Sequence, residues 1–359
     1  MSHSFAIRIG YIRSPAADLF WFIALPFCGI ALALFCQAYL TFVALASINL
    51  WITVPHHFGT WCRAYGLKED RKRFKLQLIA GPVVIFAALA LGLAWLPLTV
   101  FLITLLWDHQ HSLMQQHGLA RIYDFKANTG SKNTGKADLW LQVFLFGNML
   151  LTAPLWTEIW VQQLFTWGIP VSANGVRYIQ FSSYALTFTY LFFYAIYVFN
   201  CCRVGIALNP LKYAFIASSY LLWYYASWHT NSALVFGIAH RVMHGLQYLV
   251  IVYWYLERKQ ERTGQTPWML PQLNPVKFIA AGTLYALLFQ LLLLKPFDEF
   301  SFGLWPNIAA PLTLDESQVA GNQTYDLYAA TIINSTAILH YYFDSFIWKV
   351  SDAKTQEGL

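Results

Sequence analysis

The sequence contains little charge for its length. Only 11% of its 359 residues are Asp, Glu, Lys or Arg, whereas an average soluble domain has roughly 25%. A soluble protein of this size needs a charged surface, so this composition excludes an ordinary soluble globular domain. Because 58% of the residues are hydrophobic, lipid must solvate much of the surface, which predicts an integral membrane protein.

Cysteine motifs are also missing. The five cysteines form no CxxC pattern, which excludes a zinc finger and a disulfide framework. Residues 1–18 lack the short apolar segment and cleavage site of a removable signal peptide. No DNA- or RNA-binding motif accompanies the net charge of +6, so no nucleic-acid partner is expected.

Long apolar segments are abundant instead. Ten segments have the roughly 20 mostly apolar residues that a membrane-spanning helix needs: about 19–40, 42–62, 76–97, 98–118, 138–164, 180–201, 211–229, 232–256, 277–296 and 326–348. If the N-terminus is cytoplasmic, all of the 23 Lys and Arg except Arg177, Arg241 and Lys295 lie on the cytoplasmic side, as the positive-inside rule predicts.

The predicted fold is therefore an all-α polytopic transmembrane helical bundle of about ten spans, with both termini cytoplasmic. We expect a single integral membrane domain over residues 1–359, in which the outer loop at about 297–325 is a candidate cap. The lipid bilayer is the first expected partner. The predicted location is the inner membrane of a bacterial cell.

The positions of the histidines indicate the function. Nine of the ten lie in or at the ends of predicted spans, where ionisable groups are costly and usually functional. At 1.5 Å per residue, four spans place imidazoles about 12–21 Å from the outer surface, in one overlapping layer. We therefore predict a metal ion inside the bilayer. Its candidate ligands are His56, His57, His109, His111, His240, His244, His340 and Asp344.

Spacing within the helices supports this prediction. His240 and His244 are four residues apart, so both rings leave the same face of one helix and can share a metal ion. His340 and Asp344 repeat the spacing with a carboxylate as the second member. An isolated membrane histidine is more often an interhelical hydrogen-bonding group, but several at one depth favour a metal site.

Two further residues are candidate catalytic groups. Asp108, three residues before His111, suits either a carboxylate that orients an imidazole or a proton carrier, and both alternatives stay open. Tyr341 directly follows His340. The run Tyr341-Tyr342 also suits packing at a membrane interface.

A histidine cluster with one or two carboxylates suits non-haem iron, mononuclear or dinuclear, with zinc, copper and manganese as alternatives. The pattern resembles the histidine-rich integral-membrane iron oxygenases, which include the fatty-acyl desaturases and hydroxylases and the Brp/Blh-type carotenoid-cleaving dioxygenases. The resemblance lies in the motifs Pro55-His-His-Phe-Gly-Thr60, Asp108-His-Gln-His111, His240-x3-His244 and His340-x3-Asp344. The chain lacks the HxxHH boxes of the desaturases, so its scattered histidines are more similar to the Brp/Blh arrangement.

The resemblance implies an oxidoreductase that acts on a hydrophobic lipid or isoprenoid, with an electron-donor protein as a possible partner. One alternative is a proton-coupled or metal-ion transporter, in which the same groups form a relay; the sequence shows no internal repeat of the kind common in transporters. Another is a haem-binding membrane protein with imidazoles as axial ligands. The oligomeric state is not predicted.

Overall fold

The computed structural model describes residues 7–292, 294–295, 299–300 and 323–359, and this part of the chain is almost entirely helical. The helices are α1 (Pro15–Asp18), a π-helix (Leu19–Ala24), α2 (Leu25–Tyr39), α3 (Phe42–Tyr65), α4 (Lys68–Arg73), α5 (Lys75–Trp95), α6 (Pro97–Ala127), α7 (Lys132–Thr152), α8 (Pro154–Thr166), α9 (Ala173–Arg203), α10 (Pro210–His229), α11 (Ala233–Thr263), α12 (Pro275–Leu292), α13 (Gln323–Ile347) and α14 (Ala353–Gln356).

The strands that the structure describes are two residues long. Strand β1 (Leu294–Lys295) pairs antiparallel with β2 (Glu299–Phe300). The prediction of an all-α fold is confirmed in that the described residues are almost entirely helical. The candidate cap at about 297–325 lies mostly outside the described residues.

Several helices are long and apolar enough to cross a membrane. Among the described residues these are Pro15–Tyr39, α5, α9 and α11, and α7 with α8 makes a fifth if this pair, bent by 70°, is one span. The chain thus has the helices of an integral membrane protein. The count of about ten spans and the cytoplasmic placement of both termini stay predictions.

These helices differ in exposure: some present apolar side chains on the surface, and one is largely buried. Helix α9 exposes large apolar side chains along its length, including Phe181, Phe188 and Phe192, and only 11% of the most apolar window of α5 is buried. By contrast, 72% of that window in α11 is buried. Lipid suits the apolar surfaces of α5 and α9, whereas α11 is an interior helix.

The described chain divides into two compact units. The first contains residues 1–39 and 113–243. Its interior holds a buried ion network in which Lys212 Nζ lies 2.8 Å from Asp138 Oδ2 and 3.2 Å from Asp124 Oδ1. Tyr194 also donates to Asp138. Paired charges of this kind satisfy one another where water is scarce.

The second unit contains residues 40–112 and 244–359. Within it, α13 packs against α5 and α3, and α12 packs against α3. Phe74, Leu78, Phe343 and Ile347 are buried in one of its apolar clusters. The prediction of a single integral membrane domain stays a prediction.

Candidate metal centre

Four buried histidines of the second unit, each on a different helix, meet at a common point. His56 lies on α3, His111 on α6, His244 on α11 and His340 on α13. They are 4%, 5%, 4% and 0% exposed, respectively. One ring nitrogen from each lies within 4.8 Å of those of the other three. Within the described residues, this is the group whose geometry suits a metal ion.

The four rings meet edge to face. His340 lies between His56 and His111, with ring centroids 4.2 Å and 4.4 Å away. His244 contacts the same two rings at 4.9 Å and 5.2 Å. Because the interplanar angles are 73–86°, the rings do not stack on one another. Edge-to-face packing lets the in-plane lone pair of each ring point toward a shared centre.

Gly245 lies where α11 contacts α3, beside His56. A Cβ on Gly245 would lie 3.6 Å from the Cβ of His56 and 3.7 Å from the carbonyl oxygen of Ile52. A side chain longer than that of alanine at position 245 would press against α3 beside His56. Glycine at helix contacts is a common means of bringing backbones together in membranes.

The four residues fit a metal ion. In the described part of the chain, Nε2 of His111 and Nε2 of His340 are buried and have no hydrogen-bond partner, which costs about 1–3 kcal/mol for a polar atom. A metal ion removes that cost by accepting both lone pairs. Four nitrogens bound at about 2.0–2.1 Å lie about 3.3–4.2 Å apart, so only a small inward movement from the observed spacing is needed.

The other predicted histidine ligands are not in this group. His57 is buried, with its ring centroid 5.6 Å from that of His340. His109 points its Nδ1 at the carbonyl oxygen of Leu105, 2.7 Å away on its own helix. His240, in the first unit, accepts a hydrogen bond from Trp223 Nε1 at 2.8 Å. The i,i+4 spacing predicted His240 and His244 as a pair of ligands; the structure places His244 in this group and His240 beside Trp223.

The two predicted carboxylates take different positions. Asp344 is not one of the four grouped residues: its Oδ2 lies 3.9 Å from His340 Nδ1, and its Oδ1 accepts a hydrogen bond from Tyr248. Asp108 accepts a 2.6 Å hydrogen bond from the Tyr341 hydroxyl. The Tyr341 ring stacks on His111, with centroids 4.5 Å apart. Asp108 and Tyr341 therefore form a pair directly beside one of the four histidines.

Sequence reasoning assigned no role to two polar residues near the site, Thr60 and Tyr248. The Thr60 hydroxyl lies 2.5 Å from His340 Nδ1 and 3.1 Å from the Tyr248 hydroxyl. A usable signal existed, because Thr60 is four residues after His56 and Tyr248 is four residues after His244. Residues at this spacing share a helix face with the ligand.

Comparison with known proteins finds no match for this chain among family models, curated proteins or solved structures. The resemblance to membrane iron oxygenases therefore stays an expectation from the sequence motifs.

Proposed function

We propose that this protein is a membrane-embedded, metal-dependent oxidoreductase that uses non-haem iron and acts on a hydrophobic lipid or isoprenoid. The observation that carries the proposal is the convergence of four buried imidazoles from four helices on one point. Imidazole ligands suit iron, as well as zinc and copper. Among these metals, iron best matches the oxidation of an apolar molecule delivered from lipid.

The residues of the site have separable roles in this proposal. His56, His111, His244 and His340 would hold the metal ion. When bound, iron supplies the capacity to activate dioxygen for reaction with an apolar substrate. Tyr341 holds a proton on its hydroxyl and donates it toward Asp108, which makes the pair a candidate for proton movement beside the centre. The burial of the four rings keeps water away from it.

The reaction class determines which partners are needed. Hydroxylation or desaturation with dioxygen consumes two electrons beyond those of the substrate, and these must come from an electron-donor protein. Cleavage of a double bond that inserts both oxygen atoms needs no external electrons. The expected substrate in each case is a hydrophobic small molecule that reaches the site from the bilayer.

Metal analysis tests the proposal directly. We expect about one to two iron ions per chain in protein purified without chelators, and dioxygen consumption with an active lipid fraction. The double variant His244→Ala/His340→Ala should lose the metal, because half of the ligands are absent. His109→Ala is the matched control, since its ring nitrogen bonds within its own helix. Metal-free wild-type protein, or unchanged metal in the double variant, contradicts the proposal.

A metal-ion or proton-coupled transporter is the second candidate. The 70° break between α7 and α8 favours it, because interrupted helices are common in transporters. Flux of metal ions or protons into sealed vesicles without dioxygen consumption would support this candidate over the oxidoreductase. Haem fits less well, because a macrocycle needs open space around its iron, whereas the neighbouring imidazole rings here have centroids only 4.2–5.2 Å apart.

A further inference from the structure

A second polar layer lies one helical turn beyond three of the four histidines. Thr60, Tyr248 and Asp344 each follow a grouped histidine by four residues, on α3, α11 and α13. They form one hydrogen-bonded chain. The Thr60 hydroxyl lies 3.1 Å from that of Tyr248. The Tyr248 hydroxyl lies 2.7 Å from Asp344 Oδ1.

This hydrogen-bonded chain of side chains ends on His340, one of the four grouped histidines. Thr60 Oγ1 lies 2.5 Å from Nδ1 of His340, and His340 is fully buried. The chain therefore joins the carboxylate of Asp344 to a candidate ligand through two hydroxyl groups. Asp344 itself lies 3.9 Å from the same Nδ1, too far for a direct hydrogen bond.

The chemistry of the end groups sets the direction of the chain. In its ionised form Asp344 only accepts, so Tyr248 donates to it. The indole of Trp348 only donates, and it lies 3.4 Å from the Tyr248 oxygen, on the accepting side. The Tyr248 hydroxyl has a single hydrogen, which it donates to Asp344. Its oxygen therefore accepts the hydrogen of the Thr60 hydroxyl. The hydrogen of Thr60 is then already used.

The direction decides the tautomer of His340. With its hydrogen donated to Tyr248, Thr60 can only accept from Nδ1 of His340, which must carry the ring proton. Nε2 then presents a lone pair. In the described part of the chain this Nε2 atom is buried and has no hydrogen-bond partner, as a metal-binding atom would.

We propose that Thr60, Tyr248 and Asp344 are positioning residues that hold His340 in its Nδ1-protonated tautomer and so determine the affinity of the metal centre. The inference rests on the proposed metal site, and it assigns Asp344 a role two hydroxyl groups away from the ring instead of that of a ligand. Groups that orient a ligating imidazole in this way raise its basicity and determine which nitrogen binds.

Two variants of Thr60 test the role of this hydrogen-bonded chain. Thr60→Val has nearly the same volume but no hydroxyl, so His340 loses its acceptor and its proton can move to Nε2. We expect binding of Co²⁺, measured by competition with a chromophoric chelator, to weaken about 10- to 100-fold. Thr60→Ser keeps the hydroxyl and should restore the wild-type affinity. Thr53→Val is the matched control on α3, because the Thr53 hydroxyl donates to the carbonyl oxygen of Asn49.

A double-mutant cycle separates a positioning role of Asp344 from direct ligation. Asp344→Leu removes the acceptor at the end of the chain, so Tyr248 can turn to donate to Thr60 and reverse its direction. We expect Asp344→Leu alone to weaken Co²⁺ binding, but to have little further effect in the Thr60→Val background. Additive losses would instead identify Asp344 as a ligand and overturn the inference.

The tautomer is observable without turnover. Nitrogen-15 NMR of histidine-labelled, metal-free protein in liposomes should show His340 protonated at Nδ1, with its signal assigned by its absence from His340→Ala. In Thr60→Val we expect Nε2 protonation to appear. Wild-type protein that binds Co²⁺ while Thr60→Val keeps both its affinity and its tautomer overturns this inference and leaves the proposed function intact. Wild-type protein that binds no metal overturns both.

Discussion

At the scale of single residues, a variant of His240 tests whether this histidine is a metal ligand. Its Nδ1 accepts a 2.8 Å hydrogen bond from Trp223, and Trp223 is fully buried. We expect His240→Ala to destabilise the protein by about 1–3 kcal/mol, because the buried indole loses its acceptor, and to leave the metal content unchanged. Thermal unfolding and elemental analysis of the same preparation check this. Loss of metal at unchanged stability would make His240 a ligand.

Tyr341 offers a second test at this scale. Tyr341→Phe keeps the ring that stacks on His111 but removes the hydroxyl that donates to Asp108. We expect the metal content to stay at the wild-type level and turnover to fall by about 10²-fold or more, as for the loss of a proton-transferring group. The related hydroxyl of Tyr342, which faces the carbonyl oxygen of Gln77, provides the control variant Tyr342→Phe. Equal turnover in both variants would remove Tyr341 from the catalytic groups.

The contact between α3 and α11 is decisive at the scale of elements. A Cβ at position 245 would meet His56 at 3.6 Å, an ordinary van der Waals distance. Gly245→Ala should therefore fold and bind metal normally, whereas Gly245→Leu should displace His56 and lower metal affinity by at least about 10-fold, since ligand geometry must hold within a few tenths of an ångström. Chelator competition on the two variants measures the difference. Equal affinities would show that this contact does not set the position of His56.

The last helix, α14, gives a pH-dependent prediction. Asp352 accepts from the backbone N–H of Thr355 and pairs with Arg73 through both carboxylate oxygens, at 2.7 Å and 2.8 Å. The hydrogen bonds from Arg73 hold the pKa of Asp352 below its usual value. A carboxylate whose pKa falls on folding stabilises the protein above its unfolded pKa of about 3.9, and this contribution is lost as the pH falls through the folded pKa.

Two variants at Asp352 separate the cap from the charge. Asp352→Ala should weaken the docking of residues 349–359 by about 1 kcal/mol for the lost cap, with at most about 1 kcal/mol more for the partly exposed ion pair. Asp352→Asn keeps the capping oxygen and loses the charge, so it should abolish the pH dependence. Hydrogen exchange in this segment, corrected for intrinsic rates, measures both effects. Persistent acid sensitivity in Asp352→Asn would assign the effect to another group.

Orientation in the membrane is a property of the whole molecule. The distribution of Lys and Arg predicts that Lys132, before α7, is cytoplasmic and that Asn174, near the start of α9, is external. Both positions are exposed. In a cysteine-free background, a membrane-impermeant thiol reagent should label Asn174→Cys in intact cells and Lys132→Cys only after permeabilisation. The reverse pattern would invert the predicted topology.

The apolar surface is also a property of the whole molecule. The large exposed side chains of α9 suit lipid, and the same composition that excludes a soluble domain predicts them. Helices α3 and α6, which carry His56 and His111, have fewer apolar residues. They fall outside the set of helices that are apolar enough to span by themselves, because the polar residues that form the site lower their hydropathy.

The sequence by itself determined that this chain is helical and rich in apolar helices, because charge content and the length of apolar segments are local properties. It also determined which residues share a helix face, and therefore that His240 with His244, and His340 with Asp344, were candidate pairs. Tertiary packing alone decided which faces meet. It brought His56, His111, His244 and His340 together, directed His109 and His240 elsewhere, and joined Thr60, Tyr248 and Asp344, because contacts between helices depend on packing that no helical periodicity encodes.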